Sequence, residues 1–152
     1  MPIKIIAIAK TKEKFYQAVE AEYLKRLGSF AKVEFEILAA SRANFAAKII
    51  FEEAEKILAK IKLSDFVVVL DKEGSQFSSP DLAKKLGRWL TSGKNLVFVI
   101  GGTYGLSQQI LDRADFIWSF SELTFTHEMI RTIFLEQLYR AFTILNNKPY
   151  HY

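Results

Sequence analysis

Five short apolar segments, at residues 3–9, 33–38, 66–70, 96–100 and 116–120, alternate with longer stretches of helical periodicity at 13–27, 43–62, 80–92, 107–114 and 127–145. This alternation constrains the fold more than any single motif does. Strands joined through a helix run parallel, because the crossover returns the chain to the edge it started from. The expectation is an α/β fold, a mostly parallel sheet with helices on both faces. Segments 3–9, 66–70 and 96–100 are almost continuously apolar, as strands covered on both faces are, so they belong near the middle of the sheet.

At 152 residues the chain reads as one domain, 1–152, long enough to bury a full core. No apolar run reaches the length of a membrane span, and the start "MPIKIIAIAK" lacks the features of a secretory leader. The sequence has no cysteine, which removes disulfides, thiolate metal sites and cysteine nucleophiles together. A cytoplasmic location is expected. The formal charge of +4 is lopsided: residues 1–62 hold 12 Lys/Arg against 8 Asp/Glu, whereas residues 63–152 hold 9 of each. The basic residues cluster at Lys10, Lys12, Lys14, Lys25 and Arg26, which suits an anionic partner such as nucleic acid.

The stretch 127–145, "HEMIRTIFLEQLYRAFTIL", is apolar around most of its circumference. A surface helix carries one apolar stripe, so this one needs cover on two sides. It is either wedged inside the fold or packed on a second copy of the chain, and a homodimer is expected.

In "VFVIGGTYGLS", residues 97–107, a buried strand runs into Gly101-Gly102-x-x-Gly105, followed by a Ser able to cap a helix. The pattern is neither the dinucleotide fingerprint nor a P-loop, and it follows the fourth strand rather than the first, which argues against a nicotinamide site. The third strand ends at Val69-Leu70-Asp71, followed by the turn-like Lys72-Glu73-Gly74-Ser75. Ligands of open α/β sheets lie at the carboxyl ends of the strands. If the third, fourth and fifth strands are neighbours, residues 70–71, 101–105 and 120–125 make one crevice. It would hold few strongly ionisable side chains, suiting an adenine nucleoside read by main-chain groups. His127 reads as a structural or capping residue, and two distant histidines without an acidic cluster offer no metal site. Ser107, Ser119 and Ser121 lack a nucleophile elbow.

Together, "IKIIAIAK", "VFVIGGTYGLS" and "SFSELTFTHEMIRTIFLEQLYRAFTILNNKPYHY" resemble the RlmH family of SPOUT methyltransferases, from about residue 3 to 151. The resemblance implies a C-terminal trefoil knot, a homodimer, and transfer of a methyl group from S-adenosylmethionine to N3 of a pseudouridine in the 23S rRNA of the assembled ribosome. It implies cofactor contacts from Leu70, Gly101, Phe120, Ser121, Glu122, Leu123, Thr124 and Phe125, with a Cβ at Gly101 intruding on the cofactor's space. No metal is implied. Tyr152 stands where family members usually carry Lys or Arg, and Thr126 where many have Pro. For the chemistry, His151 is the candidate base, since an imidazole suits proton transfer at neutral pH. Arg140 is the candidate for stabilising charge on the pyrimidine oxygens, with Glu136 holding it in place and Arg131 as the second choice. Arg131 and Tyr150 are the candidate substrate-binding residues. Two alternatives stay open: a non-catalytic knot protein that binds RNA or the ribosome, and a methyltransferase acting on tRNA.

Overall fold

The structure, a computed structural model, describes residues 2–152. Five strands form one sheet: β1 (Ile3–Ile8), β2 (Val33–Leu38), β3 (Phe66–Ser75), β4 (Leu96–Ile100) and β5 (Phe116–Trp118). Their order is β2-β1-β4-β3-β5, and every neighbouring pair is parallel. The three most apolar strands hold the three central places, as continuous apolarity predicts.

Alternate residues of these strands feed two cores. Ile3, Ile5, Ala7, Val68, Leu70, Leu96, Phe98 and Ile100 face one layer; Ile6, Ile8, Val67, Val69, Val97 and Val99 face the other. The first layer is covered by α1 (Lys14–Leu27), α3 (Ser79–Leu90) and α5 (His127–Leu145), the second by α2 (Ala46–Leu58) and α4 (Gln108–Arg113). Helix α5 lies between α1 and α3. Its Phe134 ring meets Phe98 at 5.0 Å and Trp118 at 6.0 Å, and Phe142 stacks on Phe30 at 5.5 Å. Flanking helices on both sides account for most of its apolar circumference.

Three helices start on a side-chain cap: Ser78 accepts from Asp81 N–H, Ser107 from Ile110 N–H and Thr126 from Met129 N–H. The third strand departs from expectation. The composition of residues 72–75 suggests a turn, yet β3 runs on to Ser75, whose carbonyl accepts Ser119 N–H at 3.0 Å. Gly74 permits a close crossing rather than a turn, since a Cβ there would lie 2.6 Å from the Ile117 carbonyl oxygen. β5 ends two residues early because Ser119 opens a turn, its hydroxyl donating to the Ser121 carbonyl. Among the described residues no helix is long and apolar enough to cross a membrane.

Candidate active site

The carboxyl ends of β3, β4 and β5 are adjacent, and the loops leaving them surround a cleft of about 940 Å³. Leu70 and Asp71 form one wall, residues 100–106 a second and residues 118–128 a third, closed by Glu13 and Tyr16 at the start of α1. Of the eight positions expected to touch a cofactor, Leu70, Gly101, Phe120, Ser121, Leu123, Thr124 and Phe125 line this cleft. Glu122 sits in the same loop but is exposed and does not line it. The cleft is also more ionisable than expected, since Glu13, Asp71, Lys72, His127 and Glu128 all reach it. The extension of β3 and the approach of α1, neither read from the sequence, bring most of these groups in.

The third wall is shaped by short polar side chains. Ser121 Oγ accepts Leu123 N–H at 3.0 Å, and the Phe120 ring packs on Trp118 at 4.4 Å. Ser107, Ser119 and Ser121 are each engaged with local backbone, so none is set up as a nucleophile. At Gly101 the expected reason for a glycine needs correction. A Cβ there would lie 2.8 Å from Leu106 Cγ, so the loop's own return path excludes a side chain before any ligand does. Gly105, at φ 84°, lets that loop turn back, its N–H donating to the Gly102 carbonyl.

His127 lines the cleft and is not the cap of α5; Thr126 is. Burial, with the Arg131 guanidinium nearby, pushes His127 below the usual imidazole range. Glu128 accepts the N–H groups of Glu13 and Lys12, which hold it below the usual carboxylate range and tie the segment after β1 to α5.

Arg131, expected at the substrate, is turned into the interior of the chain. It has no exposed surface, and its guanidinium donates to the Ile8 carbonyl and to Thr11 Oγ1, which itself donates to Glu20. Burial pushes its pKa down, opposed by Glu20 and Glu128. A signal for this was present: Arg131 shares a helical face with Phe134, Leu135, Leu138 and Phe142, the buried stripe of α5.

The other candidates gather at the far end of α5. Arg140 Nε donates to Glu136 Oε1 at 3.1 Å, and its Nη1 lies 3.1 Å from His151 Nδ1. Tyr150 donates to the same Glu136 oxygen at 3.0 Å and lies 3.0 Å from the Tyr23 hydroxyl. Its ring sits edge-on to Tyr139 at 4.8 Å, under the Arg140 guanidinium. Burial, then these two hydrogen bonds, push the Tyr150 hydroxyl far up. The Glu136 carboxylate raises Arg140. The tail is therefore held rather than frayed, but Tyr150 is committed to internal contacts while His151 remains exposed.

Within one chain the two sets of residues are apart. Arg140 follows His127 by thirteen positions, so at 1.5 Å per residue it lies roughly 20 Å along the helix from the cleft. No group of three or more metal-ligating side chains is found among the described residues.

The family model described as "Predicted SPOUT methyltransferase" matches residues 1–151. The chain is 44% identical to the ribosomal RNA large subunit methyltransferase H of Christiangramia forsetii, over 100% of this chain and 99% of the relative. It is 43% identical to the protein of the same name from Finegoldia magna, over 99% of each. A solved structure of a "probable methylase family protein" from Haemophilus influenzae superposes with a TM-score of 0.57 at 16% identity, covering 99% of this chain and 70% of that one, which supports the fold. The cleft thus sits at the strand ends of a fold shared with methylase structures, in a sequence alike from end to end to named rRNA methyltransferases, and the chain belongs to the SPOUT methyltransferase family, in its RlmH branch.

Proposed function

We propose that the protein transfers a methyl group from S-adenosylmethionine to N3 of a pseudouridine in 23S rRNA of the assembled ribosome, acting as a homodimer. The observation that carries this reading is the full-length identity of more than 40% to relatives named for large-subunit rRNA methylation.

The cleft fits the cofactor. Leu70, Ile100, Leu106 and Leu123 offer apolar walls, the loops at 101–105 and 119–125 offer main-chain donors and acceptors, and Glu13 and Asp71 place carboxylates where a cationic ligand would meet them. S-adenosylmethionine supplies a methyl group on a positively charged sulfur, a leaving group that needs no metal. We infer that the C-terminal part is threaded as a trefoil knot. In support, β4 and β5 flank β3, α4 and α5 lie on opposite faces, and the 71–75 extension presses on β5 through Gly74.

Reacting atoms must approach to about 3–3.5 Å, and a tail roughly 20 Å from its own cleft does not serve it. Two copies resolve this if each tail faces the partner's cleft. Exposed apolar side chains suit such pairing: Phe15 and Val19 on α1, Leu123 and Phe125 beside the cleft, and Met129 on α5. The basic end of α1 adjoins the tail, with Arg26 over the Tyr23 and Tyr139 rings, and extends the positive surface toward RNA.

The pairing with Arg140 refines the role of His151. A guanidinium only donates, so Nδ1 accepts and a neutral imidazole carries its proton on Nε2. In this arrangement His151 offers substrate an N–H, and together with Arg140 stabilises negative charge on the pyrimidine oxygens as N3 gives its proton to solvent water. Service as the base requires the ring to leave Arg140. The deciding experiment offers labelled S-adenosylmethionine with intact ribosomes, free rRNA and tRNA in parallel. Label in 23S rRNA of ribosomes is expected; label in tRNA, or in none of the three, defeats the proposal.

A further inference from the structure

Beside the glycine loop, Glu53 of α2 is 5% exposed. Its Oε2 accepts Ser41 N–H at 3.0 Å, while Oε1 has no hydrogen-bond partner among the described residues. A Cβ on Gly102 would lie 3.0 Å from that oxygen and 3.1 Å from Ile8 Cγ2. Gly102 lines the cleft and Glu53 does not, so the loop backbone stands between the carboxylate and the cleft. Nearly all buried polar atoms in folded proteins are paired, and a carboxylate oxygen is among the costliest to leave without a donor. The donors within reach of a small movement are the loop's own N–H groups. Gly105 supplies the freedom for that movement, with a positive φ and nothing within 4 Å of where a Cβ would stand.

We propose that Glu53 is a positioning residue for the cofactor: when the cleft fills, the 101–105 loop settles and turns a main-chain N–H onto Glu53 Oε1. The inference rests on reading the cleft as the cofactor site. Gly102 then has a second purpose, since any side chain would keep the carboxylate away from the backbone it is to hold. A ligand never touches Glu53; it feels the residue through the shape of the loop.

The test uses S-adenosylhomocysteine as the probe and the full-length protein. Glu53→Gln keeps the size of the side chain and, through its carbonyl oxygen, the Ser41 contact, but presents an amide donor where the loop requires an acceptor. The variant should unfold at the wild-type midpoint, bind the probe about tenfold more weakly or worse, and lack ligand-induced exchange protection of the 102–104 amides at saturation. In the wild type, binding should slow exchange at one or more of those amides. Wild-type affinity and wild-type protection in Glu53→Gln overturn the proposal. Should that variant not fold, the wild type decides alone: equal exchange at 102–104 with and without bound ligand overturns it as well. A wild-type protein that binds no S-adenosylhomocysteine defeats the assignment of the cleft itself, a result distinct from a failure of the role given to Glu53.

Discussion

Two arginines on one helix, nine residues apart, illustrate opposite uses of the same side chain. Arg131 is fully buried, donates to Ile8 and Thr11, and has its pKa pushed down by lost hydration. Arg140 is partly exposed, braced by Glu136, and has its pKa pushed up by that carboxylate. Both stand on a helix that resembles the catalytic end of a methyltransferase, and residue type does not separate them. Surroundings do. The first closes the fold around the segment that edges the cleft; the second keeps a free face beside an exposed histidine. A cation with no exposed surface has no face to offer a substrate, whereas one held on one side only can still bind on the other.

The strongest challenge to this contrast removes the tail. Deleting residues 149–152 should cut methyl transfer by at least about 10³-fold while cofactor affinity in the cleft is retained, since general acid–base and electrostatic contributions are each worth about 10²–10⁴-fold. Transfer above a tenth of the wild-type rate would remove the tail from the chemistry. Mixing that variant with Gly101→Val, which displaces Leu106 and disables the cleft, should restore activity that neither has alone; a silent mixture breaks the two-chain site. Next in size, Arg131→Ala should lose about 3–5 kcal/mol in urea unfolding, as for other broken buried charge networks. Arg140→Ala should stay within about 1 kcal/mol of wild type yet lose transfer. Equal stability losses would erase the distinction between the two ends. Smaller still, Tyr23→Phe and Tyr150→Phe should each cost about 0.5–1.5 kcal/mol and prove non-additive in a double-mutant cycle, because they share one hydrogen bond. The smallest effect concerns His127. Its depressed pKa means the unfolded chain takes up the proton more readily, so its contribution is present above the ordinary imidazole value near pH 6.5 and declines as pH falls below it. His127→Gln should flatten the fall of unfolding midpoint between pH 7 and 5; an unchanged slope rules the residue out as its source.

The sheet was legible because strand apolarity and helical spacing are local properties that burial on both faces imposes directly. Central β1, β4 and β3 announced themselves in this way, as did the Ser107 cap. The segment 72–75 misleads because Lys72, Glu73 and Gly74 have turn-like composition; what keeps them extended is a contact with β5, more than forty residues later in sequence. Likewise Gly101 faces Leu106 rather than open space, a fact of loop geometry that a glycine letter does not carry. Seven of the cleft's lining residues could be named from the resemblance, and the strand-end reading added Asp71 and residues 102–105, whereas Glu13, Lys72 and the carboxylate of Glu53 come together only through tertiary structure. The separation of tail from cleft required a length, and lengths become visible once a helix is known to be continuous.

The position of α5 also bears on how the protein comes into being. Ile3, Ile5, Phe98 and Ile100 look toward a helix that follows all five strands in chain order. During synthesis, at roughly 5–20 residues per second, the sheet is translated before its lid exists. The strip of that face between α1 and α3 therefore waits, uncovered and attractive to chaperones or to other nascent chains, until residues 127–145 emerge. Completion of this fold is gated by its final helix, and a nascent chain stalled before that point would be an aggregation hazard rather than a partly working enzyme.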